Sequence, residues 1–394
     1  MIMKGTRLCN LRCAYCHDWE AGADQTMSFE VLAHAIAGAM QDDTHDVVTF
    51  VWHGGETTLL PMDFYRRAMA VQSRFRRPGQ RVRNQLQTNA TRLTPQWAEF
   101  FRRNDFRIGI SLDGPSEVLN DYRPDAAGRP TFDRVLAGMR LLEEHGVSYG
   151  VLMVVDQTTI ERGADALFDF ILDLGLKRVG LLAVNPNNQP AASWLTPTAP
   201  YTSPSTMGAF LSDLYDRWIE HGDKTIGIRE FADIEQALSN GHRGCKMYGD
   251  CIGNYFIVDP NGDVAHCDLF RGDERYMFGN VLHDDFAAIR AGGKLLDLRR
   301  QRESDLAAMA ACPDFEVCRG WCPHEGYLSS RHDPSYSAGC CGLRPLIDHI
   351  RSRQAGAPTA SRETREHALS PTTFATSVPL PMPKSGRRMT VGIT

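Results

Sequence analysis

The chain has 394 residues, 42% hydrophobic and 23% charged, enough for two ordinary domains or one large α/β domain with an appendage. A formal net charge of -5 excludes bulk attraction to nucleic acid or anionic lipid, so neither nucleic acid nor membrane is expected as a partner. The longest apolar runs, such as Val147 to Val155, are too short to span a bilayer, and no secretory signal opens the chain.

Short β-branched or apolar runs alternate with segments of helical period through the first half. Strands are expected at Met1–Thr6, Val47–His53, Val82–Gln87, Arg107–Leu112, Ser148–Val155 and Arg178–Val184. Ser28 is placed to cap a helix running to about Met40, and Thr94-Pro95 opens one to about Arg103. Further helices are expected over Met62–Phe75, Thr131–His145 and Gly163–Leu174. Alternation at this spacing implies parallel βα units, six of them, short of the eight that close a full barrel. The expected fold class is α/β, an open partial (βα)6 TIM-like barrel over residues 1–225. Its active site is expected at the C-terminal strand ends.

From about Gly241 helical period fades, and Gly, Asp and Cys become frequent. A hairpin is expected around Asn254–Cys267, turning at Asp259-Pro260-Asn261-Gly262-Asp263. So irregular a segment builds little apolar core, so a small Cys-rich α+β domain over residues 226–350, stapled by metal clusters, is expected. Residues 355–394, rich in Ser, Thr, Pro and Arg, are expected to be a disordered tail. The basic run Arg74, Arg76, Arg77, Arg81 and Arg83 fits a solvated helix end better than a dock for an acidic leader peptide.

Eleven clustered cysteines without a secretory signal point to metal ligation in a reducing cytoplasm rather than to disulfides. Cys9-x3-Cys13-x2-Cys16 lies in the loop leaving the first strand. Three thiolates within eight residues can hold a [4Fe–4S] cube and leave one iron open to a small chelating molecule. Zinc would close its shell with a fourth ligand, and His17, directly after Cys16, is poorly placed to supply it. His17, Trp19 and Glu20 could line the mouth of a pocket or simply pack under the rim.

The stretch Leu8-Cys9-Asn10-Leu11-Arg12-Cys13-Ala14-Tyr15-Cys16 resembles the signature of radical S-adenosylmethionine (SAM) enzymes, C-x3-C-x-aromatic-C, with Tyr15 as the aromatic residue. Trp52-His53-Gly54-Gly55-Glu56 resembles the family's GGE motif, which implies that Gly54, Gly55 and Glu56 meet the SAM ammonium. Gln87-Thr88-Asn89 ends the third strand, and Ile110-Ser111-Leu112-Asp113-Gly114-Pro115 ends the fourth, where the family contacts the SAM ribose. Arg123 stands where many members face the SAM carboxylate. The resemblance thus implies SAM contacts from Tyr15, Gly54, Gly55, Glu56, Asn89, Ser111, Asp113 and Arg123. It also implies reductive cleavage of SAM to a 5′-deoxyadenosyl radical that takes hydrogen from an unactivated C–H bond, with an external flavodoxin- or ferredoxin-type electron donor.

The C-terminal cysteines, with Phe278-Gly279-Asn280-Val281 between the groups, resemble the SPASM domain of radical SAM peptide-modifying enzymes, which holds two auxiliary [4Fe–4S] clusters. The resemblance places one cluster on Cys245, Cys251, Cys267 and Cys322. It places the other on Cys312, Cys318 and one or both of Cys340 and Cys341. The chain departs from the pattern at Met309, where the domain has a further cysteine, and a thioether replaces a thiolate poorly at such a cluster. Both Cys340 and Cys341 could then ligate, Asp314 could substitute, or an iron could stay open. A pair of structural zinc sites is the competing reading.

This resemblance implies a peptide or protein substrate. The leading expectation is a maturase that crosslinks side chains of a ribosomally made precursor peptide through C–C, ether or thioether bonds. The alternative is an anaerobic sulfatase maturase that oxidises a Cys or Ser to formylglycine, and the second is a non-catalytic iron–sulfur electron carrier. No catalytic base can be picked from the sequence, because many acids lie near strand ends.

Overall fold

Along Val47–Gly54 half-buried and buried residues alternate, and Phe50 and Trp52 point to the helical layer, where Trp52 meets Phe64 and Tyr65 edge-on. Such alternation marks a strand whose two faces differ in environment. The computed structural model describes residues 1–16, 25–42, 45–185, 201–239, 241, 244–270 and 273–356. His17, Trp19, Glu20 and nearly all of the expected tail lie outside the described residues.

Six parallel strands follow the order of the chain: β1 (Ile2–Thr6), β2 (Val47–Gly54), β3 (Arg81–Thr88), β4 (Arg107–Ser111), β5 (Tyr149–Val155) and β6 (Arg178–Ala183). A two-residue strand, β7 (Gly227–Ile228), adds to β6. The helices between them are α1 (Phe29–Gln41), α2 (Met62–Phe75), α3 (Pro95–Arg103), α4 (Ser116–Tyr122), α5 (Phe132–Glu144), α6 (Gln157–Arg162) and α7 (Ala164–Asp173). The Ser28 hydroxyl accepts from Val31 N–H and Thr94 from Trp97 N–H, as the capping signatures require. The helical layer packs on an aromatic lattice of Trp52, Tyr65, Trp97, Phe100, Phe101 and Phe106. In the basic run, Arg76 donates to the Gln80 carbonyl and Arg77 to the carbonyls of Asp42 and His45, so both brace the turn before β3.

Beyond β6 come α8 (Pro204–His221) and α9 (Arg229–Ser239), then the expected hairpin, β8 (Phe256–Val258) and β9 (Asp263–His266), and β10 (Met277–Asn280). β8 pairs in parallel with β1, so the Cys-rich region extends the barrel sheet. The ten-stranded order is β10-β9-β8-β1-β2-β3-β4-β5-β6-β7, and among the described residues its two ends do not pair. The fold is therefore mixed α/β, a sheet of partial-barrel type followed by a smaller Cys-containing region.

That region is more helical than its sequence suggests. It contains α10 (Phe286–Ala291), α11 (Gly293–Met309), α12 (Phe315–Cys318), α13 (Pro323–His332) and α14 (Arg344–Gly356). The longest, α11, buries only Leu295, Arg302 and Met309 along its length. Without a continuous apolar stripe it leaves no helical period to read.

Candidate functional site

Loops leaving β1, β2, β3 and β4 converge at the C-terminal edge of the sheet. The Cys9–Cys16 loop is clasped from outside by residues 122–126: Arg12 N–H donates to Pro124 O, Ala14 N–H to Tyr122 O, and Ala126 N–H to Asn10 O. The Asp125 carboxylate fastens that clasp, accepting from Ala127 N–H, Arg129 N–H and the Arg129 and Arg134 side chains.

From β2 the chain passes very close to this loop. Gly55 N–H donates to Thr6 O and Glu56 N–H to Leu8 O, each at 2.8 Å. A Cβ on Gly54 would lie 2.2 Å from Thr6 O, and one on Gly55 would lie 2.0 Å from Leu8 O. Only glycine permits that approach. Glu56 is buried, and its carboxylate accepts from Thr58 N–H (2.9 Å), the hydroxyls of Thr58 (2.5 Å) and Thr88 (2.6 Å), and Asn89 N–H (2.8 Å). Asn89 in turn donates to Asn10 in the cysteine loop at 3.0 Å. Glu56 therefore ties β2, β3 and the cysteine loop together. Glu56→Gln, which puts an amide donor where a hydroxyl or N–H now donates, is expected to cost about 1–3 kcal/mol of stability, measured by denaturant unfolding.

The second group is built on β4. Asp113 is buried; it accepts from the Tyr15 hydroxyl, from Val154 N–H at 3.0 Å, and from Arg123 at 3.4 Å. Arg123 also donates to the Tyr15 oxygen at 2.6 Å. Burial pushes the Tyr15 hydroxyl well above its usual range. Burial acts to lower Arg123, but Cys13, Tyr15 and Asp113 outweigh it and hold the guanidinium firmly charged. Ser111 accepts from Gln87 at 2.9 Å. The Arg123 Nε and the Gln87 Oε1 are buried without a partner among the described residues. A buried donor and acceptor left open in this way call for a ligand.

None of the eleven cysteines is in a disulfide. Burial pushes Cys9 up to about 12 and Cys13 up to about 11. Cys9 feels Cys16, Glu56 and Arg123, and Cys13 feels Arg123, Asp113 and Cys9, so the loop gathers its thiols beside both polar groups. In the C-terminal region Cys251 is raised by burial and then by Cys245, Cys322 and Cys267, which places those four thiols together. Cys267 and Trp321, the latter next to Cys322, adopt positive φ (53° and 58°), a strained conformation held where the cysteine loops turn. Cys318 and Cys341 share a hydrogen bond that lowers the Cys318 thiol to about 7 and raises Cys341, and Cys340 lies in reach of Cys312 and Cys341.

Among the described residues no three His, Cys, Asp or Glu side chains converge tightly enough for a single metal ion. Thiolates that grip a four-iron cube each bind a different iron, and so stand farther apart than ligands of one ion. The donor sets fit iron–sulfur clusters: three thiols beside an open polar site, and eight more in two groups.

Two groups escaped the sequence. Met3 and Gly5 face the helical side of β1, so Lys4 points to the concave side. There its fully buried ammonium meets His53 at 3.0 Å and the carboxylate of Asp268, the residue after Cys267, at 2.6 Å. Arg7, also buried, pairs with Asp259 in the hairpin turn. A lysine inside an apolar strand was the available signal, but only the β1–β8 pairing supplies its partner.

A model of the radical SAM superfamily matches residues 3–170, and one of the SPASM iron–sulfur cluster-binding domain matches residues 249–318. The chain carries a radical SAM superfamily domain. Its domain architecture is that of a radical SAM oxidoreductase with a C-terminal SPASM domain. It is 28% identical over 370 residues to a serine-type anaerobic sulfatase-maturating enzyme of Bacteroides thetaiotaomicron, covering 89% of this chain and 88% of that one. It is 29% identical over 332 residues to a cysteine-type anaerobic sulfatase-maturating enzyme of Clostridium novyi, covering 82% and 87%. In fold this radical SAM chain is similar to native anSMEcpe with bound AdoMet and the Kp18Cys peptide (TM-score 0.75, 23% identity, 90% and 97% covered). It is less similar to Streptococcus suis SuiB bound to the precursor peptide SuiA (TM-score 0.57, 14% identity, 86% and 74% covered). Among the described residues no helix is long and apolar enough to cross a membrane.

Proposed function

We propose that this radical SAM enzyme oxidises a cysteine or serine side chain of a protein substrate to formylglycine, as an anaerobic sulfatase-maturating enzyme. The observation that carries this reading is similarity to both serine- and cysteine-type sulfatase-maturating enzymes, each over more than four-fifths of both chains. The sequence put peptide crosslinking first. That order is reversed here, because the likeness to SuiB is weaker and is one of fold.

In this reading Cys9, Cys13 and Cys16 hold the cluster that binds SAM, and Tyr15, Gly54, Gly55, Glu56, Asn89, Ser111, Asp113 and Arg123 form the SAM cradle. Bound there, the cluster and SAM would supply a 5′-deoxyadenosyl radical able to take one hydrogen atom from the substrate β-carbon, and auxiliary clusters held by the C-terminal cysteines would supply a one-electron acceptor. Arg123, with its Nε open, suits a carboxylate, and the Gln87 carbonyl suits a hydroxyl or amine. A proton must also leave the substrate thiol or hydroxyl. Asp268, the residue after Cys267, is ion-paired with Lys4 at 2.6 Å and lies 3.7 Å from His53, and this reading assigns Asp268 the task of taking it.

The balance is the loss of one hydrogen atom, one proton and one electron from the side chain. Serine then yields the aldehyde directly, and cysteine yields a thioaldehyde that water converts to the aldehyde with release of hydrogen sulfide. An external one-electron donor and a reducing compartment complete the proposal.

The test incubates anaerobically reconstituted full-length enzyme with SAM, dithionite and a peptide spanning the modified site of a sulfatase, in its Cys and Ser forms. Mass spectrometry is expected to show an aldehyde that forms a hydrazone. A product that lacks two hydrogens but gives no hydrazone would instead place the enzyme among the crosslinking maturases.

A further inference from the structure

We propose that Cys340 and Cys341, adjacent in the chain, both ligate the second auxiliary cluster, with Cys312 and Cys318 completing its shell and Met309 left outside. The inference rests on the radical SAM and SPASM architecture and not on the sulfatase-maturating reading.

Contact comes first. The Cys341 thiol is hydrogen-bonded to that of Cys318, and Cys340 lies in electrostatic reach of both Cys312 and Cys341. Cys312 is in turn within electrostatic reach of Cys318, so the four thiols form one connected group, with Asp314 beside Cys312 and Cys318.

The backbone explains how neighbours can do this. In an extended strand successive side chains point to opposite faces, so two adjacent cysteines cannot serve one cluster. Here the pair sits between a turn and a bend. Cys340 N–H donates to Ser337 O at 3.2 Å, and Gly342, at φ +79°, brings its N–H back to the Cys340 sulfur at 3.4 Å. A side chain on Gly342 would be strained at that φ and would press on Pro204, its Cβ 3.0 Å from the proline's. Hydrogen bonds from N–H to sulfur are among the interactions that tune iron–sulfur thiolates.

Of the alternatives, the buried Asp314 carboxylate is ion-paired with Arg351 through Oδ1 and with Arg344 through Oδ2 at 3.4 Å, so two guanidinium groups match its charge, although Oδ2 accepts no hydrogen bond among the described residues. Met309 is 6% exposed, and its sulfur packs where a Cβ on Gly320 would lie 3.3 Å away. Cys312 N–H still donates to Met309 O at 2.9 Å, so the turn that would present a cysteine at this position persists.

Iron and sulfide analysis with Mössbauer and EPR spectroscopy of the reconstituted full chain tests this. Wild type is expected to carry about twelve irons in three four-iron clusters. Cys341→Ala is expected to lower this to about eight, or to about eleven with the EPR signal of a three-iron cluster, and Cys340→Ala to do the same. The signal of the SAM-binding cluster, unchanged in each variant, reports that the barrel is intact. Adding Met309→Cys to Cys341→Ala is expected to restore about twelve irons, because it returns a thiolate three residues before Cys312. If Cys341→Ala keeps the wild-type iron content and Mössbauer spectrum, Cys341 is no ligand and the proposal fails. Formylglycine formation enters none of these readouts, so failure of the substrate assignment leaves this result interpretable.

Discussion

A chain with Cys9, Cys13 and Cys16 all replaced by alanine is expected to form no 5′-deoxyadenosine from SAM while keeping its C-terminal iron. The three thiols share one loop, clasped by residues 122–126, and contribute nothing to the C-terminal groups, which assemble from Cys245 onward. Iron should therefore fall from about twelve to about eight per chain rather than vanish. The fold should survive as well. Cys13 is buried and Cys9 and Cys16 half-buried, and the loop is held mainly by backbone hydrogen bonds and by Asp125. Iron analysis and liquid chromatography of the SAM products check both halves. Deoxyadenosine from the triple variant would remove this loop from the chemistry.

Gly55→Ala is expected to be nearly as damaging, although it removes no functional group. The added methyl would sit 2.0 Å from the Leu8 carbonyl oxygen and 2.6 Å from that of Arg7, both backbone atoms of the segment entering the cysteine loop. Neither can rotate away. Either the β2 end or the loop must move, and with it the hydrogen bonds from Gly55 to Thr6 and from Glu56 to Leu8. Overpacking of this kind costs about 3 kcal/mol. If the cost falls on the SAM-binding geometry, affinity drops about a hundredfold. Isothermal titration of SAM into reconstituted variant and wild type measures it. Gly227→Ala on β7, where a Cβ meets only the Lys177 carbonyl oxygen at 3.6 Å, controls for the loss of a strand glycine and should bind SAM normally.

Much of the barrel was legible because its signals are local. Ser28 and Thr94-Pro95 cap where their chemistry requires, and the apolar runs at Val47 and Ser148 became strands within a residue or two. The site motifs were legible because each sits at a strand end. Their grouping was not: Glu56 with Asn89, and Tyr15 with Asp113 and Arg123, meet only once the parallel order is known. Lys4 is the clearest failure of sequence reasoning. Its partners are 49 and 264 residues away, joined by the pairing of β2 and β8 to either side of β1. The helices of the C-terminal region were hidden for a different reason, since α11 covers thiol loops and arginine contacts rather than an apolar core.

The measurement that bears most directly on the central claim uses a peptide substrate deuterated at the β-carbon of its target cysteine or serine. Incubated with the reconstituted enzyme, SAM and dithionite, it is expected to yield 5′-deoxyadenosine that carries one deuterium, in step with loss of the substrate. Deoxyadenosine free of deuterium while that same side chain is oxidised would contradict hydrogen-atom removal at this carbon, and with it the proposed route to formylglycine.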